Sequence, residues 1–157
     1  MLRERLPDAT LSTDIIVGFP GETDEEFEMT IDAVRQIQFD LIYSFKYSPR
    51  PGTRAADYPG HLSESVKSER LKILLETQEK IVRQKFQALV GTGQQVLIEG
   101  NHHRKANTAT GRTRGNHSVF IKNSTKKAGD LMNVLITKAN QNSLEAEPSS
   151  AITSPSI

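Results

Sequence analysis

The stretch Leu11-Ser12-Thr13-Asp14-Ile15-Ile16-Val17-Gly18-Phe19-Pro20-Gly21-Glu22-Thr23 decides the fold class of this chain. Its β-branched centre, stopped by Pro20-Gly21, reads as a strand buried on both faces, as in a parallel sheet. Thr23 then opens a helix. Paired with Glu26 it matches a capping box, and Asp24, Glu25 and Glu26 suit the positive end of the helix dipole. Phe27, Ile31, Val34 and Ile37 recur at helical spacing, so an amphipathic helix runs to about Gln38. The following segment alternates. Phe39, Leu41, Tyr43, Phe45 and Tyr47 share one face, and Asp40, Ile42, Ser44 and Lys46 share the other. Strand, helix, strand is a βαβ unit, which joins parallel strands by a right-handed crossover.

Outward from this unit, the two prolines of Ser48-Pro49-Arg50-Pro51-Gly52-Thr53 end the second strand. Ser63 or Ser65 starts a long helix reaching about Leu89, with Leu71, Leu74, Leu75, Gln78, Val82, Phe86 and Leu89 on the helical period. After Gly91-Thr92-Gly93 the pattern becomes extended. Short strands are expected at 94–99, 118–121 and 131–136, with a fourth including Ala109 to Thr113, separated by Gly- and Asn-bearing turns. Strands at this spacing suggest a small antiparallel barrel of oligonucleotide-binding type. The fold class expected is therefore α/β followed by a small all-β barrel. Residues 1–87 form the first domain and 88–146 the second, and the polar, Ser/Pro-rich 147–157 is a disordered tail.

A chain of 157 residues fits one domain or two small ones. It contains no cysteine, which rules out disulfides, thiolate metal sites and iron–sulfur ligation by this chain. Its four histidines make no helical metal pair, so no metal site is expected. No apolar run approaches the roughly 18 residues of a membrane span, and the N-terminus lacks a secretory core. The expected address is cytoplasmic, with no membrane partner. The net charge of +1 hides an asymmetry: 12 basic against 15 acidic residues over 1–87, then 8 against 4 over 88–157. The two parts are thus expected to meet different partners, unless the difference is plain surface charge.

Two loops at the carboxyl ends of the βαβ strands are candidate ligand edges, since ligands collect there in α/β sheets and barrels. One is Gly18 to Thr23. The other is Ser48 to Thr53, where Arg50 is either a bidentate clamp for a carboxylate or phosphate or a solvated arginine in a rigid loop. In the second domain Arg104-Lys105, Arg112, Arg114, Lys122 and Lys126-Lys127 form either a phosphate-binding groove or a solvated face. Only Phe120 and the rings of His102, His103 and His117 are available for stacking. That scarcity points to backbone-dominated, weakly sequence-selective RNA contact.

Thr13 to Thr23 and Tyr43-Ser44-Phe45-Lys46-Tyr47-Ser48-Pro49-Arg50-Pro51-Gly52-Thr53 resemble the late-barrel segments of radical S-adenosylmethionine methylthiotransferases. Leu89-Val90-Gly91, Val96-Leu97-Ile98-Glu99-Gly100, Thr110-Gly111-Arg112-Thr113 and Gly129 resemble their appended TRAM domain, an RNA-binding barrel. The resemblance covers about Leu2 to Leu144. It implies the last βα units of a partial TIM-like barrel followed by an OB-like barrel. The wording of the second segment is most similar to the subgroup that places a methylthio group on isopentenyl-adenosine beside the tRNA anticodon. Other subgroups act on threonylcarbamoyl-adenosine or on a ribosomal-protein aspartate.

The family implies S-adenosylmethionine and 4Fe–4S clusters as cofactors and the tRNA anticodon stem-loop as partner. Its cluster cysteines lie in N-terminal regions that have no counterpart here. The chain is therefore read as a C-terminal fragment, catalytically inert by itself, that needs those regions from its parent chain or a partner. The alternative is a stand-alone RNA-binding protein. Residues matched to the cofactor edge are Ile16, Val17, Gly18, Ser48 and Arg50. Glu22 falls one place late against the superfamily's Gly-x-Ile-x-Gly-x-x-Glu pattern. Lys105, Arg112 and Arg114 are the expected RNA phosphate contacts, and no catalytic residue is expected in this chain.

Overall fold

A computed structural model describes residues 5–6, 9–102, 107–124 and 126–150. They divide into two compact units, Leu11–Val82 and the described residues of Met1–Thr10 with Arg83–Ile157.

In the first unit β1 (Ser12–Val17) and β2 (Leu41–Lys46) pair in parallel, in a register that sets Ser12 beside Leu41 and Val17 beside Lys46. Helix α1 (Asp24–Ile37) connects them. The expected capping box is present: Thr23 Oγ1 accepts from the Glu26 N–H, and the Glu26 carboxylate accepts from the Thr23 N–H at 2.9 Å. At the other end Gln38 takes the left-handed conformation and donates its N–H to Val34. A 3₁₀ turn (Arg54–Asp57) precedes the long helix α2 (Glu64–Leu89), which continues past Val82 into the second unit. Ser63 caps it by accepting the Val66 N–H.

The core of this unit gathers Val17, Phe27, Ile31, Val34, Ile42, Leu74 and Ile81. All of it lies on one side of the sheet, so β1 is not buried on both faces as its composition suggested. Ile16 is 56% exposed, and Leu41, Tyr43 and Phe45 stand exposed with it. The reason is the period of the strand. Alternate residues face opposite ways, and only the Thr13, Ile15 and Val17 side of β1 meets α1 and α2. The Asp40, Ser44 and Lys46 face of β2 likewise packs toward the helices. Asp40 accepts the Leu11 N–H at 2.8 Å, and Lys46 reaches Glu64 and Ser68 on α2. Along α2 the buried stripe is Lys67, Arg70, Leu74, Gln78 and Ile81, while Leu75 is half exposed. Leu75 sits about 100° around the helix from Leu74, outside the stripe.

The second unit is a closed five-stranded barrel of β3 (Gly93–Asn101), β4 (Thr108–Thr113), β5 (Ser118–Lys122), β6 (Leu131–Ala139) and β7 (Leu144–Pro148), in the order β3-β4-β5-β7-β6. Its interior holds Val96, Ile98, Ala109, Val119, Ile121, Val134, Ile136, Leu144 and Ala146. Bulges at Ile98/Gly100 and Ile136/Lys138 bend the long strands round the barrel. β7 has no counterpart among the expected strands. It pairs with β5 in parallel and β6 antiparallel, so Glu147 and Pro148 lie opposite Leu135 and Val134 instead of in a tail.

Glu145 ties this closure together, ion-paired to Lys122 at 3.0 Å and accepting from Asn140. The Lys122 hydrogen bond, then that of Asn140, holds its carboxyl below the usual carboxylate range. A group depressed in the folded state stabilises fully above its unfolded value and loses that contribution as pH falls through the folded one. Glu145→Gln is therefore expected to unfold at a lower urea concentration than wild type at neutral pH. The difference should be less than about 1 kcal/mol, because Lys122 is largely exposed. It should vanish in acid below the depressed value, and a pH-independent difference would count against the pairing.

Candidate functional site

At the carboxyl end of β1 the chain turns through Gly18, whose φ of +74° suits glycine. A Cβ there would strike the Lys67 side chain, which crosses directly over it. The Gly18 N–H donates to the Glu22 carboxylate. Glu22 in turn ion-pairs with Arg70 at 3.1 Å, and Arg70 also reaches Asp24 at 2.6 Å, the Glu22 carbonyl at 3.1 Å and the face of Phe27. Lys67 donates to the Tyr47 carbonyl at 3.3 Å and pairs with Glu64, whose carboxyl is held low by its bonds from Lys67 and then Lys46. Above these sit Phe19, Tyr47, Tyr58 and His61. Phe19 meets both tyrosines edge to face, and His61 lies over Tyr47.

This arrangement bears differently on each residue matched to the cofactor edge. Ile16 stands open on the bare sheet face. The Val17 side chain is fully buried under the helices, and its carbonyl accepts the Tyr47 N–H. Gly18 is taken up by Lys67 and Glu22. Ser48 and Arg50 are exposed, and the Arg50 carbonyl closes a turn by accepting from the Thr53 N–H and hydroxyl. The buried Lys67 and Arg70 went unnoticed in the sequence. Their signal was there: two cations at i and i+3 in phase with Leu74 and Gln78. No described cluster of three histidines, cysteines or carboxylates is placed to hold a metal ion.

On the barrel, Arg112 and Arg114 come together. The hairpin between β4 and β5 is tied by Thr113, which accepts the His117 N–H on its hydroxyl and donates its own N–H to His117. Asn116 takes the left-handed conformation at φ 62°. Both arginines line a shallow groove of about 350 Å³ whose other walls include Gln95, Leu97, Glu99 and Leu131. The Arg112 guanidinium is divided between Glu99 (3.2 Å) and the Asn116 carbonyl (3.1 Å). Arg114 is exposed and makes no ion pair among the described residues. Leu97 and Leu131 face each other across β3 and β6 and give the groove an apolar floor.

The rings divide by role. His117 packs edge to face on the buried Phe86, whereas His102 packs on Phe120, which is only half buried. Lys122 is paired with Glu145, and Lys126 and Lys127 are exposed beyond β5. Lys105, the third expected RNA contact, lies outside the described residues, as do His103 and Arg104.

Residues 87–148 match the model of the TRAM domain family. Over 146 residues the chain is 47% identical to the tRNA-2-methylthio-N(6)-dimethylallyladenosine synthase of Thermodesulfovibrio yellowstonii, covering 93% of this chain and 33% of that protein. It is 44% identical to the synthase of the same name from Moorella thermoacetica, with the same coverage, and 44% identical over 138 residues to that of Pelotomaculum thermopropionicum, covering 88% and 31%. The chain thus spans about a third of the length of the curated relatives it matches.

Proposed function

We propose that this chain, a relative of the tRNA-2-methylthio-N(6)-dimethylallyladenosine synthases with a TRAM domain at residues 87–148, is the C-terminal part of such an enzyme. The observation that carries the reading is identity of 44–47% across nearly the whole chain, extending over both units. It favours the subgroup acting on isopentenyl-adenosine over those acting on threonylcarbamoyl-adenosine or a ribosomal protein. The barrel docks tRNA near the anticodon through the Arg112–Arg114 groove. Residues 1–87 supply the closing βα units of the radical barrel, and their bare sheet face is one wall of its interior.

Within that enzyme, S-adenosylmethionine and 4Fe–4S clusters supply the radical and the methyl group. The residues here do not fit a cluster, because a chain with no cysteine offers no thiolate. They fit S-adenosylmethionine only at its border: Ile16 gives an exposed apolar contact, and Ser48 and Arg50 give polar groups beyond β2. The chain alone is expected to be catalytically inert. Its proposed contribution is to bind and orient the RNA, in the cytoplasm where tRNA is modified.

The test is a titration of tRNA across a salt series. Micromolar affinity is expected, and each phosphate contact adds about −0.7 to −0.9 to the slope of log affinity against log salt. Reversing both Arg112 and Arg114 to Glu should weaken binding of different tRNAs alike by about tenfold and flatten the slope by about 1.5. A salt-independent affinity, or no change on the double reversal, would discard the groove.

A further inference from the structure

We infer that Glu99 is an internal stand-in for an RNA phosphate, holding Arg112 until RNA displaces it. The inference rests on the RNA-docking reading of the groove and adds to it the element that sets its affinity. A carboxylate presents a guanidinium with the same kind of anionic oxygen acceptors as a phosphate. In the barrel, Leu97 lies opposite Arg112, and Glu99 follows two residues along β3 on the same outward face. From that diagonal position its Oε1 accepts from Arg112 Nε at 3.2 Å.

The second hold on Arg112 is neutral, the Asn116 carbonyl at 3.1 Å, and it fixes the guanidinium at the mouth of the groove without cancelling its charge. Both partners of the ion pair are about half exposed, Arg112 at 44% and Glu99 at 51%. An incoming phosphate therefore reaches the guanidinium without unpacking the barrel, and the exchange replaces one charge-assisted bond with another. Arg114 lines the same groove with no described acid paired to it. The groove thus holds one ready cation and one occupied cation. A polyanion that engages only Arg114 is held weakly, and one whose backbone also displaces Glu99 is held by both.

The experiment compares wild type, Glu99→Gln, Arg112→Ala and the double variant Glu99→Gln/Arg112→Ala, each as the full chain, titrated into a tRNA transcript by fluorescence anisotropy across a salt series. Glu99→Gln is expected to bind about fourfold tighter at low salt, with a slope steeper by about 0.7, as for one added phosphate contact. The gain should disappear when Arg112 is alanine, because the carboxylate acts through that guanidinium. Glu99→Gln with wild-type affinity and slope would overturn the inference. So would an equal gain on the Arg112→Ala background, which would mark a diffuse charge effect. If neither wild type nor Glu99→Gln binds tRNA, the docking reading falls and this inference with it. If wild type binds and Glu99→Gln changes nothing, only the inference falls.

Discussion

Gly111→Ala is expected to destabilise the barrel by about 3 kcal/mol, the upper range for overpacking a filled interior. A methyl at Gly111 would sit 2.6 Å from Val96 Cγ1 and closer still to the Leu97 carbonyl oxygen. The valine can shift, but the carbonyl belongs to the backbone of β3. Gly111 pairs with Ile98 there, one residue from the pair Leu97–Arg112 and two from Val96–Thr113. Relieving the clash means prising β3 from β4 at the centre of their ladder, in a closed barrel where no edge is free to move. Urea unfolding followed by the circular dichroism of the barrel measures the loss. RNA affinity should fall with the folded fraction, since the next residue along β4 is Arg112. An unfolding free energy within about 1 kcal/mol of wild type would show that the strands separate more easily than this packing implies.

Arg70→Met is expected to cost about 3 kcal/mol in the other unit. Arg70 is only 5% exposed. Burial works against its charge, yet Asp24 and then Glu22 outweigh that and raise its pKa further, so the guanidinium stays ionised. Asp24 is almost fully in water, so its ion pair with Arg70 adds little to folding stability. Glu22 is the exposed-to-buried difference that matters, with a side chain only 13% accessible. Without Arg70 its carboxylate keeps the Gly18 N–H but loses its countercharge. The penalty is that of a stranded anion, so removing the anion as well should relieve it. Glu22→Gln/Arg70→Met is expected to be more stable than Arg70→Met alone in chemical denaturation. A double variant less stable than the single one would place the value of Arg70 in its packing on Phe27.

These two sites also mark where the sequence was readable and where it was not. The capping box of Thr23 and Glu26 was legible because every atom involved lies within four consecutive residues. The order strand, helix, strand, and the change to extended segments after Gly93, followed from local periodicity in the same way. β7 was not legible. Leu144-Glu145-Ala146 is too short and polar to declare itself, and it becomes a strand only because β5 and β6 offer a slot for it. The outer face of β1, with Ile16 exposed, was misjudged for a related reason, since β-branched composition cannot say how many layers cover a sheet. In the groove, Arg112 and Arg114 stood out as cations. The attachment of Arg112 to Glu99 depends on strand register, which no local pattern encodes. Lys67 and Arg70 were overlooked because charged residues are assigned to water by default, and the partners that make burial tolerable are up to 48 positions away.

The position of β7 in the barrel has a consequence for how the protein is made. Val119 on β5 finds its neighbour at Leu144, and the gap between β5 and β6 is filled by the last of the five strands in chain order. During translation the first four strands emerge with that gap open, exposing the unpaired rims of β5 and β6. The interior cannot close until Leu144 to Pro148 have left the ribosome. A chain cut short a few residues before Leu144 would keep two adhesive edges, prone to aggregation and degradation. Closure of this barrel thus waits on the last of its five strands to be made.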